Sequence, residues 1–180
     1  MEKGLEFGEA SLAVMRSLSD YPPGLIGTVA TLFGQTMART HGVDWTLDAM
    51  IAEQQCEFFR RFDSARDRVW VAMINGQPRG ALTIDGPRPE LQREGARLRF
   101  FILDHSLRGY GLGRTMLTAA MEFCREQRYP HVFLTTLPTL QAAGRLYAQY
   151  GFVQVASSSE SFHGSHSVEQ TLECNLLGLR

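Results

Sequence analysis

Cysteine is scarce in this chain: three in 180 residues, Cys56, Cys124 and Cys174, widely spaced and without a C-x-x-C pair. So sparse and odd a set excludes a disulfide framework and fits reduced thiols in a cytoplasmic protein. Long apolar runs are missing as well, and no stretch approaches the ~20 residues that cross a bilayer. The opening residues, MEKGLEFGEASLAVM, are too acidic and too interrupted for a secretory signal. Nor is one sign of charge in excess: 18 Lys and Arg stand against 19 Asp and Glu, a net charge of −1. That balance argues against a general affinity for nucleic acid or for an anionic membrane. Internal repeats, low-complexity tracts and polar linkers are all lacking. One domain over residues 1–180 is therefore expected.

Turn chemistry and apolar periodicity supply the elements. A strand is expected over Ala10 to Ser17. SDYPPG then reads as a helix start, with Ser19 or Asp20 as cap and proline in the first turn. Leu25, Val29, Leu32, Phe33 and Met37 follow at helical spacing, and THG ends the run. A second helix from Asp44 or Thr46 carries Leu47, Ile51, Phe58 and Phe62 on one side. The period then changes. RVWVAMINGQPRGALTID is two β-rich runs around Asn75-Gly76, a strong hairpin signal. Ala96 to Asp104 reads as a strand, and a helix with Met116, Leu117, Ala120, Met121 and Cys124 on one face comes after it. His131 to Thr136 is a short buried strand, Leu140 to Tyr150 a helix stopped by Gly151, and two closing strands span Phe152 to Ser159 and Ser167 to Leu176. The order β-α-α-β-β-β-α-β-α-β-β implies an α/β (α+β) fold, a mixed sheet with helices on its faces.

Between the strand Ala96 to Asp104 and the helix after it lies LRGYGLGRTML, with three glycines in five positions and an arginine on each side. A strand, a glycine loop and a helix start form an arrangement that collects phosphate, because the first N–H groups of a helix have no internal partners. Two nucleotide motifs fail on spacing. A G-x-G-x-x-G fingerprint from Gly109 puts its third glycine on Arg114, and a P-loop over Gly113-Arg114-Thr115 puts its first glycine on Arg108. R-x-x-G-x-G at Arg108, Gly111 and Gly113 fits.

With the flanks FFILDHSLRGYGLGRTML and AAGRLYAQYGFV, this motif resembles the acyl-CoA loop and second signature of the GNAT N-acetyltransferase superfamily. Through ARLRFFILD, LYAQYGF and the tail SFHGSHSVEQTLECNL the chain also resembles the acetyltransferase half of proteins that carry it behind a MarR-type DNA-binding domain. The first helix begins by about Pro22, so the DNA-binding half is absent and a stand-alone enzyme is expected. The resemblance implies a GNAT fold: a mixed, mostly antiparallel, twisted sheet of six to seven strands flanked by about four helices. It implies an acetyl-CoA-dependent N-acetyltransferase that passes an acetyl group directly to a primary amine of a small-molecule or peptide acceptor. A non-catalytic acyl-CoA sensor or partner-binding module is the alternative, and a homodimer is possible for such a chain. No nucleic acid, membrane or metal is expected as a partner.

The same resemblance assigns the residues. Acetyl-CoA is expected on Phe101, Ile102 and Leu103, with the N–H of Ile102 or Leu103 as oxyanion donor, and on the loop Arg108, Gly109, Tyr110, Gly111, Leu112, Gly113, Arg114 and Thr115. Tyr147 is the general acid, whereas Tyr150 packs at the helix end. Glu94 is the candidate base, with Asp85, Asp104 and His105 behind it. Where the superfamily usually has asparagine, this chain has Leu137 and Leu140, so a polar contact falls to Thr136 or to backbone. Arg97 and Arg99, two apart on a strand, share one face and read either as a carboxylate clamp for the acceptor or as cross-strand ion pairs. Phe33, His41 and Trp45 are candidates for the acceptor wall. His163 and His166 lack a third ligand and belong to a substrate loop rather than a metal site. Cys124 falls on an apolar helix face and reads as core.

Overall fold

The computed structural model describes residues 10–158, 161–162, 165–166 and 168–177. Its elements run β1 (Ala10–Met15), α1 (Leu25–His41), α2 (Thr46–Arg60), β2 (Arg68–Ile74), β3 (Gln77–Asp85), β4 (Ala96–Leu103), α3 (Leu112–Glu126), β5 (His131–Thr136), α4 (Gln141–Gln149), β6 (Val153–Ser158), β7 (Ser161–Phe162), β8 (Ser165–His166) and β9 (Glu169–Asn175). Seven strands form one sheet in the order β1-β2-β3-β4-β5-β9-β6, and β7 pairs only with β8. Every neighbouring pair in the large sheet is antiparallel except β4 and β5. This is the mixed, mostly antiparallel sheet with four helices that the sequence implies.

Each sheet face carries its own apolar layer. Met116, Leu117, Ala120, Met121 and Cys124 of α3 have no exposed surface and pack with Leu82, Ile84, Ala96 and Leu98 of β3 and β4. On the opposite face Leu25, Val29 and Met37 of α1 and Leu47, Ile51 and Phe58 of α2 meet Val69, Val71 and Ala81. Burying each large side chain of this kind contributes roughly 1.5–3 kcal/mol, so the two layers fix the sheet between the helices. The turn Asn75-Gly76 has φ of 49° and 73°, as the two-residue hairpin turn with the matching twist requires.

The start of α1 differs from the sequence expectation. Asp20 does not cap that helix: its carboxylate accepts from the N–H groups of Arg16 and Ser17 at 2.8 and 2.9 Å. It thereby closes a short 3-10 turn over Leu18–Asp20, and the α-helix begins only at Leu25, after Pro22-Pro23. The prolines supply no N–H to such a turn, which delays the helix. Elsewhere the expected elements differ by one or two residues at their ends, and the short pair β7 and β8 is not among those expected. The expected strand Ser167 to Leu176 is observed over Glu169–Asn175.

β4 is the strand that shapes the molecule. Ala81 pairs with Ile102 and Thr83 with Arg99, so the single residue Leu82 faces both Phe100 and Phe101. This is a β-bulge. Phe100 at its centre takes φ of 52°, a left-handed conformation that costs a non-glycine residue on the order of 1–3 kcal/mol. The bulge shifts the side-chain phase. Ala96 and Leu98 face α3, whereas Phe100 and Ile102 face α1 and α2. On its other edge β4 pairs with β5 only at Ala96–Val132 and Arg97–Phe133, and beyond Arg97 the two strands part.

Candidate active site

The parting of β4 and β5 opens a cleft of about 1110 Å³, walled by α1 and α2 on one side and by α4 and the start of α3 on the other. At its mouth lies the glycine loop. Gly109 and Gly111 hold φ of 89° and 81°, a backbone shape that any side chain would strain. Gly111 is the N-cap of the fifteen-residue α3, so the unpaired N–H groups and positive end of the helix dipole open beside Gly111 and Gly113. Among the described residues five arginines line the cleft, Arg97, Arg99, Arg108, Arg114 and Arg145, against one acid, Glu169. The middle of the cleft is apolar, with Phe101, Ile102, Leu134 and Leu146.

Of the residues expected to hold acetyl-CoA, Phe101, Ile102, Leu103, Arg108, Gly109, Gly111, Gly113 and Arg114 line this cleft. Tyr110, Leu112 and Thr115 do not: Tyr110 is 61% exposed, Leu112 packs on the core layer under α3, and the Thr115 hydroxyl bonds to the Gly111 carbonyl at 3.3 Å. Arg108 is braced rather than free. Its guanidinium donates to the Leu103 carbonyl at 3.0 and 3.1 Å and to the Thr36 hydroxyl of α1 at 3.3 Å.

Those bonds also orient β4. The Asp104 N–H donates to the Arg79 carbonyl of β3 at 2.8 Å, so its alternate neighbour Leu103 turns its N–H and C=O away from β3. The Arg108 contacts to the Leu103 carbonyl agree with that sense. Of the two oxyanion donors named above, Leu103 is the one aimed off the sheet.

Tyr147 lies in the cleft wall, 5% exposed, between the rings of Phe101 and Phe152 at centroid distances of 6.3 and 5.7 Å. Burial raises its pKa above the ordinary value of 10, so the phenol keeps its proton at neutral pH. Tyr150 is turned elsewhere, its hydroxyl 2.6 Å from that of Thr118 and 3.3 Å from the Arg114 carbonyl.

The acids fall differently from expectation. Glu94 is not among the residues of the cleft; it borders a separate hollow with Gln92, Arg93 and His131. Asp85 is wholly buried and accepts from Arg61 at 2.7 and 2.8 Å, from Arg93 at 2.7 and 2.9 Å and from Arg99 at 3.3 Å. Against the opposing effect of burial, the Arg61 and Arg93 guanidiniums hold its carboxyl well below the usual range, which makes it a structural anion and a poor base. Asp104 accepts from the N–H and hydroxyl of Ser106 and pairs with Arg79 at 3.2 Å, and neither it nor His105 lines the cleft. The acid that does line it is Glu169, which sequence reasoning missed. Its only signal was a position at the start of the last strand, two places from β4 in the sheet.

Among the acceptor-wall candidates, Phe33 lines the cleft, whereas Trp45 stands 75% exposed on the surface. His41 hydrogen bonds to Thr40 and to Thr139, tying α1 to the loop before α4. Leu137 is buried in the apolar layer that includes α1 and α2, Leu140 packs on the same layer, and both also line the cleft. His163 lies outside the described residues, and His166 is described only by its backbone pairing with Ser161. Cys124 is fully buried and its thiol is pushed up to about 12, which leaves it unreactive.

Comparison with known proteins agrees with this architecture. Residues 35–152 match the acetyltransferase (GNAT) family. Rat N-acetyltransferase family 8 member 3 is 34% identical over 84 residues, 46% of this chain and 37% of that protein; the chain thus matches little more than a third of that relative's length. Among solved structures, yncA of Salmonella typhimurium with its cofactor acetyl-CoA superposes with a TM-score of 0.70 at 14% identity, covering 92% of this chain and 94% of that one. An N-acetyltransferase of Staphylococcus aureus Mu50 gives 0.67 at 16% identity over 94% and 99%. A strand-to-helix glycine loop, a bulged β4 parting from β5 and a match over residues 35–152 lead to one conclusion: the chain belongs to the GNAT acetyltransferase family.

Proposed function

We propose that the protein transfers an acetyl group from acetyl-CoA to an amine, directly and without a covalent enzyme intermediate. The observation that carries this reading is the parting of β4 from β5 beyond Arg97, which leaves strand backbone facing a cleft whose mouth is the N-terminus of α3. The residues fit the nucleotide: its pyrophosphate goes to the N–H groups around Gly109 to Gly113 with Arg114 nearby, and its pantetheine to the apolar middle of the cleft.

In the transfer step the neutral acceptor amine attacks the thioester carbonyl carbon. The Leu103 N–H donates to the oxygen as negative charge develops there. The C–S bond then breaks, Tyr147 gives its phenolic proton to the departing sulfur, and the proton shed by the amine restores the phenol through solvent. Glu169, the acid of the cleft wall, is our candidate in place of Glu94 for relaying that proton from the amine to solvent. Leu137 and Leu140 pack on the core layer and also line the cleft, so turnover is what separates this reading from the sensor alternative.

Two results are expected. Acetyl-CoA incubated with the protein and a mixed amine panel yields free CoA thiol, read with a thiol reagent, only when an amine is present. Binding without turnover of any amine would leave only the sensor. In Gly111→Val, the branched side chain at φ of 81° distorts the loop, and acetyl-CoA affinity falls at least about tenfold, as expected from strain of ~1–2 kcal/mol or more. Calorimetric titration checks this, and undiminished affinity would move the pyrophosphate elsewhere.

A further inference from the structure

The cation at the far end of the cleft forms no ion pair among the described residues. Arg97 stands on β4 before the bulge, at the end away from the glycine loop, and it lines the cleft beside Arg99, Gln54 and Glu169. Its register partner across β3 is Asp85, yet the Asp85 oxygens are already taken by Arg61, Arg93 and Arg99. Arg99 in turn is fixed by Asp85 and by the Gln54 side chain at 2.9 Å. Arg97 makes no hydrogen bond or ion pair among the described residues. Glu169 is near enough to act on its charge but lies outside ion-pair distance.

The local charge count points the same way. Arg61, Arg93, Arg97 and Arg99 share this region with Asp85, with Glu169 and with Glu57, the latter 61% exposed and paired to Arg61. Four positive charges face three negative ones. In the reading proposed above the acetyl-CoA phosphates do not answer this excess, because they go to the α3 N-terminus and Arg114 at the opposite end of β4. Burial also lowers the Arg97 pKa, the direction expected of a guanidinium kept from water without a compensating anion. A guanidinium offers a planar fork of donors, which suits a carboxylate held by two parallel hydrogen bonds.

We infer that Arg97 is the specificity residue for the acceptor, and that the acceptor is an amine that also carries a carboxylate. This inference rests on the acetyltransferase reading above. The carboxylate docks on Arg97 at the end of the cleft away from the glycine loop, and the amine is thereby directed back along β4, toward Leu103 and Tyr147. Arg99 holds the wall in place and does not contact the acceptor.

The test uses the full chain and matched pairs of acceptors: α- and ω-amino acids beside their carboxamides, each assayed for acetyl-CoA-dependent release of CoA thiol. The expected result is a preference for the acids over the amides of roughly 10- to 100-fold in kcat/KM, the scale of a charge-assisted hydrogen-bonded contact. Arg97→Gln abolishes that preference, chiefly through KM for the acid, and Arg97→Lys restores part of it. Thermal unfolding of both variants with and without acetyl-CoA reports on folding and on the other end of the cleft, and the acetyl-CoA shift is expected to persist. Equal use of acids and amides, no turnover of any acid despite acetyl-CoA binding, or a preference that survives in Arg97→Gln would overturn the inference. Failure of acetyl-CoA to bind the parent protein would instead overturn the acetyltransferase reading, and this inference with it.

Discussion

Tyr147→Phe is expected to lower kcat by about 10²- to 10⁴-fold, the range that a positioned general acid contributes, while leaving acetyl-CoA affinity within a small factor of the parent. The reasons are local. The Tyr147 hydroxyl makes no hydrogen bond among the described residues, and its ring is held by Phe101 and Phe152. Removing the oxygen keeps ring, volume and packing, so the cost to stability should stay below about 1.5 kcal/mol. A thiolate leaving without a proton is the expensive event, and it occurs only in the chemical step. The pH profile adds a second reading. Burial raises the phenol above its ordinary value of 10, so any loss of rate from Tyr147 deprotonation begins only above that pH. Steady-state kinetics with a fixed acceptor measures both effects. A loss of acetyl-CoA affinity with kcat intact would reassign Tyr147 to binding.

The largest effect on stability is expected from Asp85→Asn. Asp85 is fully buried and is the common anion of Arg61, Arg93 and Arg99, which come from the end of α2, the segment before β4, and β4 itself. Taking away its charge leaves three guanidiniums facing one another with little solvent to screen them. Breaking a buried ion pair from one side costs about 3–5 kcal/mol, and for a domain of this size that lowers the Tm by roughly 6–20 °C. The dependence on pH has a definite sign. The folded-state pKa of Asp85 is depressed below 3.8, so its stabilisation is complete above the unfolded-state value. It is lost only as pH falls through the folded-state one. The Tm gap between parent and variant should therefore stay constant from neutral pH down to about 4 and close only below that. Differential scanning calorimetry across pH tests this. A gap that closes near neutrality would mean that another group titrates there.

Much of the architecture was legible because it depends on short-range chemistry. The α3 face from Met116 to Cys124, the Asn75-Gly76 hairpin and the loop Arg108 to Gly113 each declare themselves within a dozen residues. What stayed hidden was set by distance in the chain. RLRFF gives no sign that Phe100 adopts a left-handed conformation; the bulge arises because β3 offers one residue, Leu82, against two of β4. Asp85 reads as a turn acid until three arginines from other segments converge on it. Glu94, adjacent to β4 in sequence, is carried to another hollow, while Glu169, 75 positions later, arrives in the cleft through β9. Tyr147 and Tyr150 lie three residues apart at one helix end, yet Tyr147 forms part of the cleft wall whereas the Tyr150 hydroxyl is bonded to Thr118.

The measurement that tests the central claim most directly is thermal unfolding of the purified protein with and without saturating acetyl-CoA, read beside free coenzyme A and a plain adenine nucleotide. Ligand at a hundred times its Kd adds about 2.7 kcal/mol to stability, which for this chain length raises the Tm by roughly 5–11 °C. A shift of that size with acetyl-CoA and coenzyme A, and little with the nucleotide alone, is the predicted result. It would show that loop, strand edge and apolar cleft act together on one ligand. An unchanged Tm in a folded protein at millimolar acetyl-CoA would contradict the account, because no part of the proposed chemistry survives without the thioester in that cleft.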